Sequence, residues 1–131
     1  MDLICIVGLP GSGKSEYIKE NFQNMEVLDD PKTIEEITEF LDKKKDCVIA
    51  HTFLCEQKAR KLIEELATDF KIIWICFEND PDLCIKNVAR RNTRGDCRKV
   101  LNSIRVFSHR YTFPKNAKII PVWRRKNETW T

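Results

Sequence analysis

Several features that would place a protein in a broad class are missing from this 131-residue sequence. No apolar run approaches the roughly 18 residues that a membrane-spanning helix needs. The first residues carry no basic segment, so we expect no signal peptide. There is no internal repeat, no low-complexity segment and no linker long enough to separate domains. These absences predict a single cytoplasmic domain, residues 1–131.

No C-x-x-C pair occurs among the six cysteines, which argues against a zinc site. Cys5, Cys47 and Cys76 lie inside apolar runs that resemble strands. Cysteines in such runs are typical of small buried side chains in a reducing compartment. We therefore predict free thiols and no disulfide framework.

Residues 8–15 read G-L-P-G-S-G-K-S and match the phosphate-binding loop pattern G-x-x-x-x-G-K-[ST] at every fixed position. The apolar run 3–7 predicts a strand before the loop, and residues 16–22 predict a helix after it. In such a unit, backbone N–H groups and the helix N-terminus face the phosphates of a nucleotide. We expect ATP and Mg²⁺ as ligands, with Lys14 on the β- and γ-phosphates and Ser15 on the metal. The expected nucleotide-binding residues are Gly8, Pro10, Gly11, Ser12, Gly13, Lys14 and Ser15.

Apolar runs and helical patterns alternate along the rest of the chain with short connections. This alternation predicts an α/β fold, a three-layer sandwich with a five-stranded parallel sheet, as in P-loop NTPases of the nucleoside and nucleotide kinase type. Strands are predicted at 3–7, 25–28, 47–50, 72–77 and 118–122, and helices at 16–22, 33–43 and 56–70, from Pro81 onward and around 100–111. Asp80 is the expected N-cap of the helix at Pro81, and Ile85, Val88 and Ala89 its buried face.

Two classes of phosphate-loop protein lack support in the sequence. A GTPase would need a guanine-reading N-K-x-D, which does not occur. A motor-type ATPase would need a larger core and an acidic end on the strand that here ends at His51. A kinase needs an acceptor site, a base and an arginine-bearing lid, and the chain offers a candidate for each.

Asp29 and Asp30 follow the second predicted strand, and ligands of such sheets bind at the carboxyl ends of the strands. A carboxylate there could accept the proton of an attacking hydroxyl, and we expect Asp29 to do so. Asp30 precedes Pro31, so a turn explains it equally well.

A basic segment at about 90–99 connects two predicted helices. Arg91 and Arg94 are spaced so that both could aim at one point, and Gly95 could supply a flexible turn. Arginines in such a lid stabilise charge on a transferring phosphoryl group and exclude water. The alternative is a solvated helix end whose dipole favours basic residues.

The C-terminal tail, 122–131, is basic and contains Trp123 and Trp130. Tryptophans beside arginines could stack on bases and neutralise phosphates. Trp123 could equally cover the sheet edge or border an adenine pocket, and we favour packing for Trp123.

In these motifs the chain resembles the 5′-hydroxyl polynucleotide kinase domain of phage-type nucleic-acid repair enzymes. The similarity covers roughly residues 2–113. It rests on the loop at 8–15, V-L-D-D at 27–30, V-I-A-H-T-F-L at 48–54 with E-Q-K-A-R at 56–60, and R-N-T-R-G at 91–95. The resemblance implies transfer of the γ-phosphate of ATP to a nucleic-acid 5′-hydroxyl, with Lys14, Asp29, Arg91 and Arg94 as catalytic residues. It also makes a viral source, and then the host cytoplasm, an expectation.

Two departures from that family keep other functions open. The family usually has an aspartate where this chain has His51, which could hydrogen-bond an acceptor or be purely structural. The segment after Asp29 is short, and Lys32 is the basic residue placed to meet an acceptor phosphate. Asp30, Lys32 and His51 are thus the candidate acceptor-binding residues. The alternatives are a nucleoside, nucleotide or small-metabolite kinase, and a non-catalytic ATP-binding domain.

Overall fold

The computed structural model describes residues 1–91 and 97–124. In this part of the chain a parallel sheet has the strand order β2-β3-β1-β4-β5. The strands are β1 (Asp2–Val7), β2 (Glu26–Asp29), β3 (Cys47–Ala50), β4 (Lys71–Phe77) and β5 (Lys118–Ile120). The helices are α1 (Lys14–Asn21), α2 (Ile34–Leu41), α3 (Gln57–Leu66), α4 (Pro81–Arg91) and α5 (Arg98–Arg110), with a one-turn 3₁₀ helix at Thr52–Cys55. The predicted α/β architecture with five parallel strands is confirmed.

The sheet separates two apolar cores because successive residues of a strand point to opposite faces. Ile4 and Ile6 of β1 pack with Ile18 of α1 on one face. Leu3 and Cys5 face the larger core, to which α2, α3, α4 and α5 contribute side chains. Central strand β1 is buried along almost its whole length, as expected of a parallel strand with helices on both sides.

Local sequence signals place several helix starts. The Thr33 side chain accepts a hydrogen bond from the Glu36 N–H at 3.2 Å, which caps α2. Asp80 Oδ1 accepts one from the Leu83 N–H, also at 3.2 Å, so its predicted role at the start of α4 is confirmed. Caps of this kind contribute about 1 kcal/mol each.

Several predicted boundaries are wrong. The helix predicted at 56–70 ends at Leu66, and the strand predicted at 118–122 ends at Ile120, before Pro121, which has no N–H to donate to a ladder. The helix predicted at 33–43 ends at Leu41, with Lys44 in the left-handed region at φ 51°. Ala89, expected in the core, is exposed.

All six cysteines are free, and Cys5, Cys47 and Cys76 are buried, as predicted from the apolar runs around them. Burial raises the pKa of both Cys55 and Cys84 to about 12, so these thiols stay protonated and unreactive near neutral pH. Among residues 1–91 and 97–124, no group of three or more His, Cys, Asp or Glu side chains is arranged to hold a metal ion. Within the same residues, every helix is too short or too polar to cross a bilayer.

Tyr111, which follows α5, ties that helix to the edge of the sheet where the strands end. Its buried hydroxyl donates to the Phe77 carbonyl at 2.6 Å and lies 3.4 Å from the Val7 carbonyl. These carbonyls end β4 and β1, directly beside the phosphate-binding loop. The contact therefore fixes α5 close to the candidate site.

Candidate active site

The phosphate-binding loop is shaped by glycines in the left-handed region. Gly11 has φ 83° and Gly13 has φ 103°, conformations that L side chains rarely adopt. A Cβ at Gly11 would lie 2.6 Å from the Cys84 carbonyl oxygen, and one at Gly13 would lie 2.5 Å from Trp123 Cβ. Both positions therefore require glycine for their backbone angle and for the close approach of a neighbour.

The loop ends at the N-terminus of α1, whose first N–H groups have no partner within the helix. The N-cap residue is Gly13, which has no side chain to accept a hydrogen bond from these N–H groups. Within the described part of the chain, Ser12 Oγ is buried and also has no hydrogen-bond partner. Unsatisfied donors at a helix N-terminus suit an anion, so the loop fits the phosphates of a nucleotide.

The Lys14 ammonium is held inside the loop. Its Nζ donates to the carbonyl oxygens of Gly8 at 2.8 Å and Leu9 at 3.1 Å, and to Thr52 Oγ1 at 3.3 Å. Burial lowers the pKa of Lys14, while the nearby Asp29 and Asp30 carboxylates act in the opposite direction. The three acceptors satisfy a group that has three donors and hold its charge at the mouth of the loop.

Ser15 and Asp29 meet across the gap between α1 and the end of β2. Ser15 Oγ donates to Asp29 Oδ2 at 3.2 Å, and both residues are exposed. Asp29 stands at this point because β2 pairs in parallel with β3, with Asp29 opposite Ala50. The predicted metal ligand and the predicted base are thus neighbours at the carboxyl edge of the sheet.

Asp30 lies in the left-handed region at φ 54°, a conformation that aspartate tolerates better than most residues. Its carboxylate accepts from Lys32 Nζ at 2.7 Å, and this hydrogen bond lowers the pKa of Asp30. Both side chains are exposed. Asp30 therefore has the turn geometry that the sequence suggested and also places a charged pair at the rim of the site.

Both ring nitrogens of His51 engage backbone groups. Nδ1 accepts from the Phe53 N–H at 3.0 Å, which caps the 3₁₀ helix, and Nε2 lies 2.8 Å from the Pro31 carbonyl. A neutral ring with its proton on Nε2 satisfies both contacts. Burial lowers the pKa of His51, which favours that neutral form. The ring joins the segment after β2 to the segment after β3, and its binding to an acceptor stays a prediction.

A cleft of about 410 Å³ opens in front of these residues. Lys14, Asp29, Asp30, Lys32 and His51 all line it, so the structure brings together the residues expected at the acceptor side. The opposite wall comes from α5, where positions 99, 100, 103 and 107 form one helical stripe.

The cleft has an aromatic wall that the sequence analysis missed. Phe53 is 55% exposed and packs edge-to-face on Phe107, with ring centroids 5.3 Å apart. The His51 ring lies 4.7 Å from that of Phe53. Two sequence features pointed to this wall. Phe53 is an apolar residue directly after His51 and Thr52, and Phe107 is on the stripe of α5.

Asn87 was also missed. Its buried side chain donates from Nδ2 to the carbonyl oxygens of Gly11 and Trp123, each at 2.9 Å. The Trp123 N–H in turn donates to the Ser12 carbonyl at 2.9 Å. Asn87 and Trp123 therefore clamp the phosphate-binding loop from outside. The available sequence signal was the polar residue Asn87 directly before Val88 on an amphipathic helix.

Half of the predicted lid, residues 92–96, lies outside the described residues. Arg91 is the last residue of α4 and is exposed, and its positive charge acts on the buried Cys84 thiol. The carbonyl of Cys84 lies against Gly11, so α4 begins next to the phosphate-binding loop. Arg94 and Gly95, and Trp130 in the tail, fall outside residues 1–91 and 97–124.

The chain is similar in structure to solved kinases at low sequence identity. A gluconokinase from Sinorhizobium meliloti superposes with a TM-score of 0.62 at 13% identity, over 95% of this chain and 84% of that chain. A sugar kinase from Janibacter sp. gives a TM-score of 0.64 at 12% identity, over 93% of this chain and 84% of that one. An uncharacterized protein from Eubacterium ventriosum gives 0.55 at 17% identity, over 92% and 88%.

These similarities agree with the strand order and the loop, and the chain has the P-loop NTPase fold. No protein-family model matches the sequence, and no curated protein matches it. The strand order and the similar solved structures together confirm the predicted fold class.

Proposed function

We propose that this protein is an ATP-dependent kinase that transfers the γ-phosphate to a hydroxyl group of a small acceptor. The observation that carries the proposal is the position of Asp29. Its Oδ2 atom lies 3.2 Å from Ser15 Oγ, and its side chain lines the same cleft as Lys14. The proposed base is thus beside the proposed metal ligand and shares a cleft with the phosphate-binding cation.

In the proposed reaction the acceptor oxygen bonds to the γ-phosphorus while the bond to the β–γ bridging oxygen breaks. The hydroxyl proton passes to the Asp29 carboxylate, and the electron pair of the broken bond leaves with ADP. Lys14 holds negative charge on the β- and γ-phosphates. A magnesium ion held at Ser15 would neutralise negative charge on the same phosphates. Arg91 and Arg94 are proposed to close over the transferring group.

The cleft favours a small acceptor. Its volume of about 410 Å³ lies within the roughly 300–1,000 Å³ typical of small-molecule sites. The similar solved structures include proteins described as a gluconokinase and a sugar kinase, which supports a metabolite acceptor in preference to a polynucleotide.

A polynucleotide 5′-hydroxyl is the second candidate acceptor. Lys32 and Lys99 stand on opposite walls of the cleft, and Phe53 offers an exposed ring beside them. Such a combination could hold a phosphate and stack on a base.

Transfer of labelled γ-phosphate from Mg-ATP distinguishes these proposals. The acceptors are polyols and sugar acids, nucleosides, and an oligonucleotide with a 5′-hydroxyl, each tested at low and high salt. We expect transfer to a small acceptor with a shallow salt dependence. Transfer only to the oligonucleotide, with KM rising steeply with salt, would favour the second candidate. ATP binding without transfer to any acceptor would identify a non-catalytic domain.

A further inference from the structure

A second pocket, of about 250 Å³, lies between α2 and α3 beside the cleft. Nine of its twelve lining residues are apolar, among them Ile34, Ile37, Leu62 and Ile63. Ile34 is 51% exposed at its border. A cavity of roughly 150 Å³ with similar walls is large enough to bind benzene, so this pocket can hold a ring.

The pocket adjoins the acceptor side of the cleft. Lys32, His51 and Phe53 line both spaces. The shared wall is held in place by His51, which bonds to the backbone of both Pro31 and Phe53. The pocket and the cleft that contains Asp29 therefore lie side by side, which brings the pocket within reach of one acceptor molecule held in the cleft.

The three polar side chains that line the pocket each have a partner already. Both His51 ring nitrogens bond to backbone, Thr33 Oγ1 caps α2, and Lys32 Nζ pairs with Asp30. Since only three of the twelve lining residues are polar, the hydroxyl groups of a sugar, or the polar edge of a nucleobase, would lose more hydrogen bonds to water here than they could replace. Burying a polar group in this way costs about 1–3 kcal/mol.

We propose that the acceptor is amphiphilic: its hydroxyl lies in the cleft near Asp29, and an apolar body of about the size of a benzene ring occupies the pocket between α2 and α3. This inference rests on the proposed kinase function for the role of the hydroxyl. The binding of an apolar group in the pocket does not depend on turnover, and the two can be tested apart.

The first experiment is a titration with benzyl alcohol of protein labelled with ¹³C at the isoleucine methyl groups. We expect saturable shifts at Ile34, Ile37 and Ile63, which line the pocket. Ile4 and Ile6, on the opposite face of the sheet, serve as the internal control and should not move. No saturable shift at the pocket residues, or equal shifts at all isoleucines, would overturn the proposal.

Variants that fill the pocket give the second arm. Ala59→Leu and Ile37→Phe each add apolar volume from α3 or α2, and thermal unfolding checks that both variants fold. Since each methylene buried is worth roughly fourfold in affinity, we expect benzyl alcohol binding to weaken at least tenfold while Mg-ATP affinity is unchanged. Unchanged benzyl alcohol affinity in both folded variants would show that the pocket does not bind it.

Turnover separates failure of this inference from failure of the kinase proposal. Glycerol and 3-phenoxypropane-1,2-diol are compared as acceptors for the γ-phosphate. We expect kcat/KM to be at least tenfold higher for the aryl compound, and the pocket variants to remove that preference. Equal kcat/KM would overturn the inference and leave the kinase proposal intact. No transfer to either acceptor, or to any other tested, would overturn both the kinase proposal and the assignment of the pocket to an acceptor.

Discussion

Ser15 Oγ donates a hydrogen bond to Asp29 Oδ2 at 3.2 Å, which joins the phosphate-binding loop to the end of β2. The serine comes from the first turn of α1. The aspartate ends β2, which lies two positions from β1 in the sheet. The contact places a carboxylate where both a metal ion at Ser15 and an acceptor in the cleft would be within reach. The proposed chemistry depends on this pair.

Asp29→Asn should lower kcat by about 10²–10⁴-fold, since the amide keeps the shape of the side chain but cannot accept the acceptor proton. The measurement is the single-turnover rate of γ-phosphate transfer, with Mg-ATP affinity measured beside it. The variant should bind Mg-ATP as wild type does and transfer the label at the lower rate.

Asp30→Asn, at the next residue, serves as the comparison for Asp29→Asn. Asp30 pairs with Lys32 at the rim of the cleft, so its loss should raise the KM of the acceptor more than it lowers kcat. A larger fall in kcat for Asp30→Asn than for Asp29→Asn would assign the base to Asp30.

Lys14→Met should remove most transfer, because one charge-stabilising group of this kind is worth roughly 3–4 kcal/mol at the barrier. Methionine fills the space of the lysine stem but leaves the carbonyls of Gly8 and Leu9 without its donor. Mg-ATP should raise the Tm of wild type by mass action and have little effect on the variant. An equal rise in Tm for both proteins would contradict the role given to Lys14.

Asn87→Ala should destabilise the protein by about 0.5–1.5 kcal/mol per hydrogen bond lost, since Nδ2 donates to the partly buried carbonyls of Gly11 and Trp123. It should also weaken ATP binding, because the clamp on the phosphate-binding loop is lost. Urea unfolding and ATP titration measure the two effects. Ala89→Gly, at an exposed position of the same helix, is the control and should cost only about 1 kcal/mol through helix propensity.

His51 should make stability depend on pH. Burial lowers its pKa in the folded protein, opposed by the hydrogen bond to the Pro31 backbone and by Asp30 and reinforced by Lys14 and Lys32. The unfolded chain therefore binds the proton more tightly. The contribution of His51 to the free energy of unfolding is fully present above its pKa in the unfolded chain, about 6.5. It is lost as the pH falls through the lower pKa that His51 has in the folded protein.

His51→Asn tests that contribution by urea unfolding between pH 7.5 and 5. Asparagine can still accept from the Phe53 N–H as a cap but does not titrate. We expect a flatter dependence of the unfolding free energy on pH than in wild type. Equal slopes in the two proteins would show that His51 is not the group responsible.

The fold was predictable because its signals are local. The loop at 8–15 has strict chemistry, the apolar strands 47–50 and 72–77 have clear patterns, and Asp80-Pro81 marks a helix start. Asp29 could be placed at the edge of the sheet because the carboxyl ends of parallel strands share one edge.

The remaining features depend on contacts between distant segments. The bonds from Asn87 to Gly11 and Trp123 span 76 and 36 residues, and nothing local distinguishes them from other uses of an asparagine. The same holds for the packing of Phe53 on Phe107. The sequence leaves His51 open between two roles, since its spacing does not reveal that both ring nitrogens bond to backbone.

The most direct test of the central claim is the fate of the labelled γ-phosphate in a single turnover with excess enzyme, Mg-ATP and a mixture of small hydroxyl acceptors. We expect wild type to move the label into an acceptor, and Asp29→Asn to bind Mg-ATP equally well but leave the label in ATP. Label that stays in ATP with wild type, although Mg-ATP is bound, would contradict the claim that this protein is a kinase of small acceptors.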